Sequence, residues 1–210
     1  MRDVQFTLVR EGSSDDGLTF LIRKLLARAG VPSVIGAARD YKGTTKEKLQ
    51  RVLAEQPSAD LVFVHRDADA RDAEGRHDEI SLAATELDSL DKVVAIVPVQ
   101  ETEAWLLTDE SAIRSVVGRP SGKLALGLPA VRRIESAASP KEILESACKI
   151  ACEKSGARLK AATRQFPMYR ATLLERLDID GPVNQLSSWR RFVDDLQAAA
   201  EAILSSESGS

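Results

Sequence analysis

The sequence predicts an α/β protein: a mainly parallel sheet flanked by helices, with a helical C-terminal extension. Three observations predict it. Short apolar, β-branched runs alternate with stretches of helical periodicity up to about residue 110. Two of the runs, within residues 60–65 and 92–99, are almost continuously apolar, as befits strands covered on both faces. Beyond Asp109 strand signals give way to helices punctuated by proline.

Val4–Val9 reads as the first strand and stops at the turn formers Arg10-Glu11-Gly12-Ser13-Ser14-Asp15. From Asp15, Leu18, Leu21, Ile22, Leu25 and Leu26 recur at helical spacing, with Ser or Asp as N-cap and Gly30 as the stop. A short strand over 33–36, a polar loop over 39–44 and a helix over Thr45–Glu55 follow. Residues 60–65 form the clearest buried strand, which runs into Arg66-Asp67-Ala68-Asp69-Ala70-Arg71-Asp72. A polar helix over 73–87 leads to a strand over 92–99, which again ends in acid at Glu101-Thr102-Glu103. Pro140 opens a later helix in its first turn, Pro167 and Asp180-Gly181-Pro182 punctuate others, and Trp189 heads a final amphipathic helix to about Leu204. The expected organisation is an α/β domain over 1–110, a helical extension over 111–204 packed on it, and a disordered tail over 205–210.

Composition narrows the function. With 43% apolar and 29% charged residues the 210-residue chain is globular in type, and no run approaches the roughly 18 apolar residues of a membrane span. The start, MRDVQF, has no apolar stretch with a small-residue cleavage site, so a cytoplasmic protein without a membrane partner is expected. Cys148 and Cys152, four apart on a helix, suit reduced structural thiols rather than a disulfide framework or zinc site. The net charge of −3 hides an asymmetry, because residues 111–191 carry 15 of the 29 basic but 7 of the 32 acidic residues. An acidic front and a basic back suit metal binding on one part and polyanion binding on another, although solvated helix faces would give the same count.

Glu11, Asp67, Asp69, Glu101 and Glu103 all follow strands, and a parallel sheet places strand ends on one edge. Each acid alone is equally a cap or a loop residue. Together, hard oxygen donors without a companion Cys or His favour Mg²⁺ or Mn²⁺ over zinc. A D-x-D at a strand end aims both carboxylates into one crevice, because residues two apart on a pleated strand point the same way. Lys160 and Arg164, four apart, present one basic helical face for a developing phosphate charge. Trp105 and His65 read as core residues, His65 and His77 share no ligand spacing, and Arg10 and Arg66 adjoin the acids as orienting partners.

Glu11-Gly12-Ser13-Ser14-Asp15 after the first strand and Asp67-Ala68-Asp69 after a later one resemble the two signatures of the TOPRIM domain of topoisomerases, bacterial primases and OLD-type nucleases. The resemblance covers about residues 1 to 110. It implies a TOPRIM-like parallel sheet and metal-dependent phosphodiester chemistry, with Asp67 and Asp69 as ligands and Glu11 as ligand or general base. Asp15, Glu101 and Glu103 would complete a second ion. The segment Glu103-Ala104-Trp105-Leu106-Leu107, with Pro167-Met168-Tyr169 and Ser188-Trp189-Arg190-Arg191-Phe192, is similar to the domain-of-unknown-function family 4276, related to OLD and RloB-like bacterial defence proteins. No G-x-x-x-x-G-K-S/T phosphate loop is present, so an ATPase would be a separate partner. The expected function is a Mg²⁺- or Mn²⁺-dependent nuclease on DNA or RNA, with Glu11, Asp67, Asp69 and Lys160 as its catalytic residues. A non-catalytic module that binds nucleotide, nucleic acid or a partner ATPase is the alternative. A receiver-like domain phosphorylated at Asp67 fits less well, because Glu11-Gly12 stands where paired acids would be.

Overall fold

A computed structural model describes residues 2–208. The elements are β1 (Val4–Val9), α1 (Leu18–Arg28), β2 (Val34–Arg39), α2 (Thr45–Glu55), β3 (Leu61–His65), α3 (Glu74–Glu86) and β4 (Val93–Ile96), followed by α4 (Glu103–Leu106), α5 (Glu110–Val116), α6 (Pro140–Ala151), α7 (Gly156–Thr163), α8 (Phe166–Glu175) and α9 (Ser187–Ser208). The four strands form one parallel sheet in the order β2-β1-β3-β4. From β1 the chain builds outward to β2 on one side, then returns to place β3 and β4 on the other. The topological switch point therefore lies between the C-terminal ends of β1 and β3, where ligands of such sheets bind.

The pleat divides the core between two faces. Phe6, Leu8, Leu61, Phe63, Val94 and Ile96 face α1, α9 and the helical second half, whereas Val9, Val62, Val64 and Val97 face α2 and α3. On the first face an aromatic chain ties the sheet to the C-terminal helix. Phe6 meets Phe63 with ring centroids at 5.5 Å, Phe63 meets Phe192 at 6.4 Å, and Phe192 stacks on Trp105 at 5.9 Å. Trp105 and Trp189 pack edge to face at 5.0 Å, and both are fully buried. Trp105 is thus a core residue, its indole N–H donating to Ser188 Oγ at 2.9 Å. Gly36 pairs with Phe6 across β1 and β2, and a Cβ there would come within 2.1 Å of the Phe6 ring carbons.

Local differences from the sequence reading have physical causes. The segment Ser13–Asp15 is a 3₁₀ turn, and α1 starts at Leu18 after Gly17 with no side-chain cap, so neither Ser nor Asp caps it. β2 runs on to Arg39 because its whole length pairs with β1. β4 stops at Ile96 instead of Val99, since Pro98 has no N–H to give the ladder. α2 matches its expected bounds and carries a reciprocal capping box between Thr44 and Glu47. The last helix continues to Ser208, past the expected stop at Leu204. There Ser205 and Ser206 hydroxyls donate to the carbonyls of Glu201 and Ile203, which keeps polar residues compatible with helix. The supposed tail 205–210 is therefore helical to 208, and 209–210 lie outside the described residues. Among the described residues no helix is long and apolar enough to cross a membrane.

Candidate functional site

The segments after β3 and β4 zip together beyond the sheet. The Arg66 N–H donates to Ile96 O at 3.0 Å, Ala68 N–H to Pro98 O at 3.1 Å, Asp69 N–H to Gln100 O at 3.0 Å and Gln100 N–H to Ala70 O at 3.0 Å. Asp69 and Gln100 both lie in the left-handed region, with φ of 54° and 64°. That conformation costs a side-chain-bearing residue roughly 1–2 kcal/mol, and the paired bonds offset it.

Asp67 stands where this zipper meets the end of β1. Its Oδ1 accepts from Thr102 N–H at 2.9 Å and from Thr102 Oγ1 at 3.1 Å, with His65 Nε2 at 3.4 Å. Burial alone would raise the Asp67 carboxyl, but the His65 contact and the Thr102 donors outweigh it and hold the group below the usual carboxylate range. These contacts all fall on Oδ1. Glu11 reaches the same point from β1, its Oε2 3.4 Å from Asp67 N and its Oε1 2.5 Å from Arg66 Nε. Arg66 also reaches Glu79 at 3.0 Å, so it orients the acids as a bridging cation.

His65 is fully buried behind Asp67. Its Nε2 lies 2.9 Å from Thr102 Oγ1, while Nδ1 has no hydrogen-bond partner among the described residues and lies 3.6 Å from Asp15 Oδ2. Asp15 and Glu103 are buried and share one cation. Arg170 on α8 donates from Nη2 to Asp15 Oδ1 at 2.7 Å, from Nε to Glu103 Oε1 at 2.7 Å, and from Nη1 to Ser14 O at 2.5 Å. Burial would push the Arg170 guanidinium down, and the two carboxylates reverse that and hold it up. Glu101 Oε2 accepts the Lys141 N–H at 3.0 Å at the start of α6. Together Asp15, Asp67, Glu101, Glu103, Lys141 and Arg170 line a crevice of about 250 Å³ beside the switch point.

The structure brings Glu11 and Asp67 together and sets Asp15, Glu101 and Glu103 around the adjoining crevice. Asp69 departs. The ladder ends at His65, so the pleat that would aim residues 67 and 69 alike no longer applies, and the left-handed turn sends Asp69 outward. Its side chain is 68% exposed and lies 3.3 Å from Arg76 Nη2. Lys160 is exposed on α7 and is not among the residues lining the crevice. Arg66 pairs with Glu11 and Arg170 with Asp15 and Glu103, while Lys141 lines the crevice and gives its backbone N–H to Glu101.

Arg170, Thr102 and Lys141 escaped the sequence reading. For Arg170 a signal existed: it shares a helical face with Phe166, Tyr169 and Leu173, and a cation on an apolar face marks a buried ion pair. The other arginine near the acids, Arg10, pairs with Asp16 and lies 3.8 Å from Asp40. His77, buried on α3, lies away from the crevice.

For a divalent ion the donors divide. Glu11 and Asp67 are hard oxygen donors at adjacent strand ends, and Asp67 Oδ2 is free of the contacts that hold Oδ1, which suits Mg²⁺ or Mn²⁺ held by one or two carboxylates with water and phosphate. Asp15 and Glu103 each give one oxygen, Oδ1 and Oε1, to Arg170, so part of their charge is already balanced by a protein cation. Among the described residues no three His, Cys, Asp or Glu side chains are grouped around one ion position.

These features define a parallel α/β protein with an acid-lined crevice at its switch point. A family model described as a domain of unknown function, DUF4276, matches residues 10–197, and the chain belongs to that family. No curated protein and no solved structure matches it.

Proposed function

We propose that the chain is a Mg²⁺- or Mn²⁺-dependent nuclease of TOPRIM type, acting on DNA or RNA in the cytoplasm in bacterial defence or repair, as its likeness to OLD and RloB-like proteins suggests. The observation that carries this reading is the meeting of Glu11 and Asp67 at the switch point, 56 residues apart in sequence. When bound, the ion would neutralise a phosphate oxygen and lower the pKa of a bound water. Glu11 and Asp67 would hold it. Arg66 fixes the Glu11 carboxylate, Thr102 and His65 fix Asp67, and Lys141 at the crevice supplies a cation for a phosphate.

The second reading, a binding module for a nucleotide, a nucleic acid or a separate ATPase, is favoured by the pairing of Asp15 and Glu103 with Arg170. Cleavage assays with Mn²⁺ on single- and double-stranded DNA and RNA separate the two. Wild-type turnover that disappears in Glu11→Gln supports the nuclease, and binding without turnover, with a partner ATPase present, supports the module.

A further inference from the structure

Away from the crevice, at the far end of α6, lies a larger groove of about 780 Å³ that the nuclease chemistry does not use. Its floor is apolar, made by Leu124, Ile150 and Leu159, and its rim carries Lys123, Lys149 and Lys154. The one carboxylate lining it, Glu153, is already engaged: its Oε1 accepts the Lys123 N–H at 3.1 Å and its Oε2 lies 3.3 Å from Arg119 Nη2. Lys149 pairs with Glu145 at 2.7 Å, while the ammonium groups of Lys123 and Lys154 have no ion pair among the described residues. Arg158 and Lys160 stand exposed on α7, the helix that contributes Leu159 to the floor, and Arg164 stands exposed just past its end.

We propose that this groove binds a single strand of nucleic acid, its phosphates on the lysine rim and its bases against the Leu124, Ile150 and Leu159 floor. A single strand offers a charge on each nucleotide and an uncovered base face, whereas a duplex hides its bases. α6 links the groove to the crevice, since Lys141 lines the crevice and Lys149 lines the groove. Eight residues of helix separate them by about 12 Å, the axial reach of three to four stacked nucleotides at roughly 3.4 Å each. The groove thus names the substrate class for the crevice, and in that respect it rests on the nuclease reading.

Binding is tested without turnover, in EDTA, by fluorescence anisotropy of a labelled oligonucleotide of about 20 nucleotides with the full chain. Replacing Lys123, Lys149 and Lys154 together by Gln should weaken single-strand binding about tenfold near 0.1 M salt and make the slope of log K against log salt shallower by about 2. Lys154→Gln alone, at an exposed position, should give part of the same loss if the triple variant folds poorly. Replacing the exposed Lys42, Lys46 and Lys92 by Gln is the charge-matched control and should leave affinity nearly unchanged. Equal losses in both triples, no binding by the wild type, tighter binding of duplex, or preference for a polyglutamate peptide over the oligonucleotide would each overturn the proposal. Groove-dependent binding in a protein that never cleaves leaves the groove standing while the nuclease reading falls, and cleavage that ignores the groove lysines does the reverse.

Discussion

Arg170 donates from Nε to Glu103 Oε1 at 2.7 Å across 67 residues of sequence, and the same guanidinium reaches Asp15 at 2.7 Å. One cation thereby fastens α8 to the loop after β1 and to the helix after β4. Removing it leaves two buried carboxylates uncompensated. Arg170→Leu should destabilise the fold by about 3–5 kcal/mol, read as a lower urea midpoint at unchanged slope. Adding Asp15→Asn and Glu103→Gln to Arg170→Leu should recover much of that loss, because the uncompensated charges are then gone.

Metal linkage distinguishes the two aspartates of the D-x-D. Millimolar Mg²⁺ or Mn²⁺ should raise the melting temperature of the wild type, since a ligand that binds only the folded state stabilises it. Asp67→Asn should remove the increment. Asp69→Asn should keep it, because Asp69 is turned outward to Arg76. An increment that survives Asp67→Asn places the ion elsewhere.

What was legible in the sequence follows from period and topology. The apolar runs at β1, β3 and β4 announce strands whose C-terminal ends must share an edge, which is enough to bring Glu11 to Asp67. Asp69 was misleading because the two-residue repeat of a strand holds only as far as the ladder, and the ladder stops at His65. Lys160 was misleading for a related reason: helical spacing tells which cations share a face and not where the face points. Arg170 joins Asp15 across 155 residues, and no local pattern encodes a pairing at that distance.

The Asp67 carboxyl is held below its ordinary range, so it contributes stability that is complete above the unfolded value, roughly pH 4, and is lost as pH falls through the lowered folded value. Thr102→Val deletes the hydroxyl donor to Asp67 and leaves the backbone N–H. It should raise the folded value, so that less acid-dependent stability is lost below about pH 4 than in the wild type. Equilibrium denaturation from pH 7 down to about pH 3 measures this, and an unchanged acid limb would show that the Thr102 hydroxyl does not set the Asp67 titration.

Cys148 is buried on α6 with its thiol pushed up to about 12, chiefly by burial and then by Cys152 and Glu145 nearby. The thiolate is the reactive species, so at pH 8 the folded protein should react slowly with an aromatic disulfide reagent, at the rate of opening rather than of thiol chemistry. Urea should make both thiols react fast. A folded protein that reacts promptly would mean that α6 opens readily around Cys148.

Cleavage should depend on position more than on charge type. Glu11→Gln keeps the side-chain size and loses the charge, so it should remove turnover while the far-UV spectrum and the oligonucleotide affinity in EDTA remain. Arg66→Gln should lower kcat less severely, by roughly 10- to 100-fold, because it frees Glu11 to turn without deleting it. Lys141→Gln at the crevice should lower kcat, whereas Lys160→Gln, exposed on α7, should act on KM with kcat retained. The decisive comparison is between these two lysines under single-turnover conditions with saturating nucleic acid. A larger loss of the cleavage rate at Lys160 than at Lys141 would move the phosphate being cut away from the strand-end crevice and onto the basic face of α7.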